Sequence, residues 1–145
     1  MDGSSLVLLD GALLIARLVV GLMFATSGWM KLTRADRRQA MLQSLREGGI
    51  PAAEPMARVV PAFELAAGAF LVLGLATGLA ALALLTISAV ALVTVTAKDV
   101  LGEGPWVLRI SSLLYAPETL LVALTALLIA AGPGALSFDA ALARS

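Results

Sequence analysis

The 145-residue chain contains no cysteine and no histidine, and only 14% of its residues are charged. Without these two residue types, disulfide exchange, iron–sulfur ligation, thiolate nucleophiles and histidine-ligated zinc or haem are excluded within this chain. Ten basic and ten acidic residues balance, and no basic patch indicates binding to nucleic acid. The sequence therefore predicts neither a metal site nor a nucleic-acid partner.

Apolar residues dominate instead, at 60% of the chain, with a mean hydropathy of +0.98. A helix needs about 20 apolar residues to cross a hydrocarbon core. Four runs approach or exceed that length, at about residues 11–30, 56–77, 79–97 and 110–131. The sequence predicts an all-α polytopic membrane protein, with a four-transmembrane-helix bundle forming one domain over residues 1–145. The first run lacks a preceding basic region, so we expect it to be kept as an anchor.

The segment 33–49 is the one strongly polar stretch between these runs. Thr33 followed by Asp36 is typical of a helix start, and Gly48-Gly49 is typical of its end. One face is apolar, and basic residues cluster near the start, where they would meet anionic lipid. This pattern predicts a short interfacial helix between spans one and two, and favours it over a specific ligand site.

Lys and Arg are unevenly distributed among the connecting segments. The first connection and its edges carry Lys31, Arg34, Arg37, Arg38, Arg46 and Arg58. The third adds Lys98 and Arg109, whereas the opposite side has only Arg144. Because cytoplasmic loops are enriched in basic residues, we expect loops one and three in the cytoplasm, both termini outside, and a location in the cell inner membrane.

Arg17 in span one and Glu64 in span two are charged residues more than one helical turn inside their apolar runs. A charge at the centre of a membrane helix costs about 2.5–3.5 kcal/mol, so such residues usually have a partner. The helical rise places the two at depths about 8 Å apart, within reach of two long side chains. The sequence predicts an intramembrane polar pair, Arg17 with Glu64. The alternatives are that Arg17 snorkels to the interface, and that Glu64 pairs with Lys31 or is protonated.

Small residues indicate where helices approach closely. Gly21, Ala25 and Gly28 fall near one face of span one. Gly74 and Gly78 form a GxxxG pair, the spacing found at membrane-helix contacts. We also expect Gly78 to provide the tight reversal between spans two and three.

Together these pieces resemble the DoxX/DoxD family of small four-helix membrane proteins. The similar positions are Ala16 to Phe24 with Gly28 and Lys31, Gly49-Ile50-Pro51, Pro61, Glu64, Gly68, Leu73-Gly74-Leu75, and the glycine–Ser–x–Asp terminus Gly132 to Asp139. The resemblance implies association with membrane redox systems: DoxD-like subunits accompany quinone-linked thiosulfate oxidation, and DoxX-like ones accompany oxidative-stress assemblies.

The polar residues of the expected inner leaflet suggest how such a protein would act. Trp29 and Tyr115 would flank the ring of a quinone, while Lys31, Glu64 and Glu118 would exchange hydrogen bonds or protons with its head group. Nothing in the chain carries electrons, so a redox role requires partner subunits. We expect a small accessory or quinone-interacting subunit of a membrane oxidoreductase complex, not catalytic alone, with quinone as its one candidate cofactor. The partners would be the bilayer, other redox subunits and, in an oligomer, further copies of this chain.

Two other classes stay open. One is a purely structural membrane subunit in which the charged residues only set helix register. The other, less favoured, is an oligomeric small-solute or ion transporter, since four helices leave little interior and no broken helix is expected mid-membrane.

The predicted orientation can be tested directly, because the native chain has no cysteine. A single cysteine introduced at Gln43 or Gly104 should react with a membrane-impermeant thiol reagent only from the cytoplasmic side, and one at Ser4 only from outside. Labelling of whole cells and of inverted vesicles measures this. The reverse pattern would overturn the orientation.

Overall fold

The computed structural model describes residues 3–96 and 105–145, and within those ranges it contains helices and no strand. The predicted all-α class is confirmed. The seven helices of these ranges are α1 Gly3–Thr33, α2 Ala35–Glu47, α3 Ala53–Leu73, α4 Thr77–Ala91 with a π-helical continuation Leu92–Thr96, α5 Trp106–Tyr115, α6 Pro117–Ala131 and α7 Phe138–Leu142.

The long helices pack as two pairs, α1 along α3 and α4 along α6. The α3–α4 hairpin joins the pairs, and contacts between α1 and α6 complete the bundle. Small and branched aliphatic side chains fill its centre, since these let helices approach closely in lipid. The buried core consists of Leu13, Val20, Phe24, Ala67, Leu71, Ala80, Ala81, Leu84, Leu121 and Leu128.

Three helices of the described ranges are long and apolar enough to cross a membrane: α1, α3, and α4 with its π-helical continuation. Helices α5 and α6 meet that test only together, and they are bent by 57° at the break between them. The expected multi-pass membrane protein is confirmed. Its spans number three, or four if the bent pair crosses as one.

The fourth apolar run, expected as one span over 110–131, is not one continuous helix. The helix breaks at Ala116, which has an extended backbone (φ −66°, ψ 132°). Pro117 causes the break, because the residue before a proline is disfavoured in the helical conformation and proline itself has no N–H to donate. Pro117 then begins α6, and the Thr119 hydroxyl donates to the Leu113 carbonyl oxygen across the break (2.6 Å).

The short polar helix is present as α2, between the first two spans. It starts one residue later than the Thr33 cap predicted, after Arg34, because the Thr33 hydroxyl donates to the Trp29 carbonyl oxygen instead (2.8 Å). It ends at Glu47, as Gly48-Gly49 indicated. Helix α2 packs on α1 and α3 without burying any residue fully. Its location in the membrane interface stays a prediction.

Glycines bring α1 and α3 into backbone contact. A Cβ atom built on Gly28 would lie 2.5 Å from the Pro61 carbonyl oxygen, and one on Gly21 would lie 2.7 Å from that of Gly68. From the other side, a Cβ on Gly68 would lie 2.6 Å from the Ala25 backbone nitrogen. Real Cβ atoms do not approach backbone so closely, so glycine is required at these three positions. The small face predicted for span one is therefore where α3 packs.

The reversal between α3 and α4 occurs at Gly74 to Ala76, and not at Gly78 as the sequence suggested. Gly74 has φ +66° and ends α3, and Ala76 also has a positive φ, +47°. Gly78 lies in the first turn of α4, with nothing within 4 Å of a Cβ built on it. The predicted GxxxG pair is therefore wrong, because one glycine ends a helix and the other faces open space.

Because α1 and α3 are in backbone contact, the change in protein stability on adding a methyl group to α1 should depend on the position of that group. Gly28→Ala should destabilise the protein by about 1–3 kcal/mol through overpacking against α3. Gly11→Ala, in the same helix but with nothing within 4 Å, should be neutral or stabilising by up to about 1 kcal/mol. Thermal unfolding of both variants in detergent measures the difference. Equal effects would show that the helices do not meet at Gly28.

Candidate functional site

An ion pair inside the bundle joins Lys31 near the end of α1 to Glu64 in the middle of α3. The Lys31 ammonium nitrogen lies 2.8 Å from each oxygen of the Glu64 carboxylate. The Ser27 hydroxyl lies 3.4 Å from the same carboxylate. Ser27 and Lys31 share a helix face because they are four residues apart. The Glu64 carboxylate therefore accepts these three hydrogen bonds from side chains of α1.

The two partners differ in their access to the surroundings. Glu64 is 4% exposed, whereas the Lys31 side chain is 27% exposed. A carboxylate buried this deeply requires a charged partner, because burial otherwise disfavours its ionised form. Lys31 supplies that charge while part of its side chain stays accessible. A polar group arriving from outside could therefore reach the ammonium without unfolding the bundle.

Arg17 occupies the other end of the α1–α3 contact. It is 1% exposed and donates a hydrogen bond from Nη2 to the carbonyl oxygen of Leu136 in the terminal segment. Its Nη1 lies directly against Gly74, where no side chain would fit. Its Nε and Nη1 have no hydrogen-bond partner within the described part of the chain. The guanidinium thus lies beneath the α3–α4 turn.

Asp139 in α7 faces the same turn from the terminal segment. Its carboxylate accepts hydrogen bonds from the backbone N–H groups of Ala76 (2.7 Å) and Thr77 (2.8 Å), and its own N–H donates to the Gly74 carbonyl oxygen (2.9 Å). Burial opposes its ionisation, but these amides and the Arg17 charge outweigh burial and lower the pKa of the carboxyl. Asp139 therefore acts as the cap of α4, whose first N–H groups need an acceptor.

One further contact holds the terminal segment on the bundle. The Ala135 N–H donates to the Asp10 carboxylate of α1 (2.8 Å). The Ser137 hydroxyl accepts from the Ala140 N–H (3.1 Å) and so caps α7. We call the residues Arg17, Gly74, Ser137 and Asp139 the terminal clasp, since they tie the chain end to α1 and to the α3–α4 turn.

The predicted pair between Arg17 and Glu64 is corrected by these contacts. Lys31, the alternative partner, holds Glu64, whereas Arg17 donates to the Leu136 carbonyl oxygen of the terminal segment. Fourteen residues of helix separate Arg17 from Lys31, about 21 Å at the α-helical rise. The contacts of Gly21 with Gly68 and of Gly28 with Pro61 set a register of α1 on α3 that brings Glu64 to Lys31 instead. Nor does Arg17 snorkel, because it is buried in protein.

The five residues of the predicted quinone cleft are only partly brought together. Among the described residues, hydrogen bonds and ion pairs join Lys31 to Glu64 and link none of the other three to them. Trp29 is 59% exposed on α1, and Tyr115 is 86% exposed at the end of α5. Glu118 lies in the first turn of α6, on the far side of the helix break. The cleft as a whole stays a prediction.

Sequence reasoning missed Asp139 as the cap of α4 and Ser137 as the cap of α7. The role of Asp139 depends on contacts between residues more than 60 positions apart, which no local pattern reveals. One local signal was available. Gly132-Pro133-Gly134 ends an apolar helix, and Ser137 followed by Asp139 is typical of a new helix start. Residues that restart a helix after such a stop are candidates for a tertiary contact.

The sequence matches a known protein family. The DoxX family model matches residues 12–97, more than half of the chain. The chain belongs to the DoxX family, and the predicted resemblance is confirmed. The matched stretch contains Arg17, Lys31 and Glu64 and ends before Tyr115 and Asp139. Comparisons with curated proteins and with solved structures give no match.

A pair of double-mutant cycles tests which residues interact. Lys31→Met and Glu64→Gln should each destabilise the protein by about 2 kcal/mol, less than a fully buried pair because Lys31 is partly exposed. The double variant should recover part of the loss. Arg17→Gln combined with Glu64→Gln should instead be additive. Thermal unfolding in detergent gives both couplings, and coupling in the Arg17 cycle alone would contradict the assigned partners.

Proposed function

We propose that this DoxX-family protein is a small accessory subunit of a membrane redox complex and that it binds the head group of a quinone-like lipid at Lys31 and Glu64. The observation that supports this proposal is the ion pair itself: a buried carboxylate whose cationic partner is partly accessible. On the predicted orientation, the pair lies towards the cytoplasmic leaflet of the inner membrane.

The chemistry of the pair suits such a head group. A quinone carbonyl oxygen would accept a hydrogen bond from the Lys31 ammonium, and a quinol hydroxyl would donate one to Glu64. Trp29 is exposed on the same turn of α1 but on a different face from Lys31, so its contact with the ring enters the proposal as a prediction. Tyr115 and Glu118 belong to the other helix pair and enter the proposal as predictions to be tested by substitution.

A partner subunit would carry out the electron transfer itself. The chain has neither cysteine nor histidine to hold a metal or cluster, so its contribution would be to hold the quinone while a flavin- or metal-bearing subunit exchanges electrons with it. Exposed apolar faces on α1 and α5, including Val19 and Leu114, would contact lipid or that subunit.

A second candidate function is a purely structural membrane subunit. It is favoured by the closed geometry of the pair, in which Lys31 already contacts both oxygens of Glu64. In that case the pair sets the register of α1 on α3 and binds nothing further.

Titration with a quinone distinguishes the quinone-binding role from the purely structural role. Trp106→Phe leaves Trp29 as the single tryptophan, so quenching by a short-chain ubiquinone reports on binding near Lys31. Glu64→Gln and Lys31→Met should each weaken binding about tenfold, as expected for the loss of one charge-assisted hydrogen bond. Tyr115→Ala tests whether the other helix pair contributes.

Glu54→Gln is the matched control, because Glu54 is an exposed acid on the same helix, paired with Arg46. Identical quenching in this control, in Glu64→Gln and in the parent would mean that quinone only partitions into the micelle, which favours the structural role. Mild-detergent purification from the native membrane addresses the partner: a flavin- or metal-bearing subunit supports the redox complex, and a lone homo-oligomer contradicts it.

A further inference from the structure

A separate pocket of about 430 Å³, lined by charged and apolar residues, lies where α2 packs on the start of α3. It is distinct from the Lys31–Glu64 pair, since neither of those residues lines it. Its volume falls within the range that holds small ligands, about 300–1,000 Å³. The lining residues are Arg38, Gln39, Leu42, Glu54, Pro55, Ala57 and Arg58.

The charge in this pocket is basic and lacks a protein counter-ion. Arg38 and Arg58 have no carboxylate partner among the described residues, although other basic residues nearby do. Arg38 makes one long hydrogen bond, to the Leu32 carbonyl oxygen at 3.5 Å. Glu54 also lines the pocket, but its carboxylate is occupied by Arg46 at 3.0 Å. Two guanidinium groups are therefore available to a ligand.

The backbone adds to this positive potential. Helix α3 begins after Ala52 without a side-chain cap, and its first turn, with Glu54 and Pro55, forms one wall of the pocket. The start of a helix carries a partial positive charge. Leu42 on the facing helix and Ala57 supply an apolar wall beside the charged groups.

We propose that this pocket binds a phosphate group through Arg38 and Arg58, as the head group of an anionic phospholipid or as a free phosphate ester. Guanidinium groups match phosphate oxygens in a bidentate geometry. The apolar wall would contact the carbon atoms next to the phosphate. The inference is independent of the proposed redox role, because it uses none of the residues assigned to quinone.

Native mass spectrometry of the full chain tests the proposal with dioleoyl phosphatidylglycerol and dioleoyl phosphatidylcholine as probes. The first phosphatidylglycerol molecule should bind more tightly than phosphatidylcholine. Arg38→Gln and Arg58→Gln should each weaken that first binding about tenfold, as for one charge-assisted hydrogen bond. Glu54→Gln removes the only acid of the lining and should leave binding equal or tighter.

Arg34→Gln is the control, since it removes the same charge from an exposed residue of the same region that pairs with Asp36 at 3.4 Å. An equal loss in Arg34→Gln and Arg38→Gln, or equal binding of the two lipids, would overturn the proposal. Glycerol phosphate separates the sources of the ligand: displacement of the lipid by it shows that a free phosphate ester suffices, and failure to displace identifies the lipid. Absence of binding by both probes also overturns the proposal.

Discussion

The backbone contact between α1 and α3 is the constraint on which the rest of the structure depends. Within a bilayer the lipid tails are as apolar as the side chains, so helices associate through close packing and polar contacts. Gly21 and Gly28 provide that packing, because they are seven residues apart on one face and lie against the backbone of α3. This contact sets the register of the two helices. The register in turn decides which residues of α3 meet the charged residues of α1.

Two buried charges result, and the protein stabilises them differently. Glu64 pairs with Lys31 of the neighbouring helix, so its partner lies within the bundle. Arg17 donates to the Leu136 carbonyl oxygen of the terminal segment, and the charge of Asp139 in the same segment attracts it. Because removing one partner of a buried charge pair costs more than the pair contributes in net stability, these contacts favour one register over others. The same terminal segment caps α4, so the register and the turn stabilise each other.

Function, as proposed, concentrates at the opposite end of the bundle from the terminal clasp. There Lys31 ends the α1–α3 contact, and Arg38 and Arg58 line the pocket beneath α2. The basic residues that predict a cytoplasmic orientation are thus not only a topological signal. Lys31 belongs to an ion pair inside the bundle, and Arg38 and Arg58 line a pocket.

The sequence alone determined the class of the protein, because apolar runs of helical length and the distribution of basic residues are local properties. It also identified the small face of span one and the one acid that needs a partner, Glu64. Only the tertiary structure decided which cation pairs with Glu64. From the sequence, both Arg17 and Lys31 lay within reach of Glu64, because the helix ends were uncertain by a few residues. The structure also shows that the chain reverses at Gly74 and that the last apolar run breaks at Ala116. At both positions the backbone dihedral angles end a helix, although the sequence around them is apolar. The partnership of Arg17 with Asp139 joins residues from opposite ends of the chain, and only the packing of helices brings such residues together.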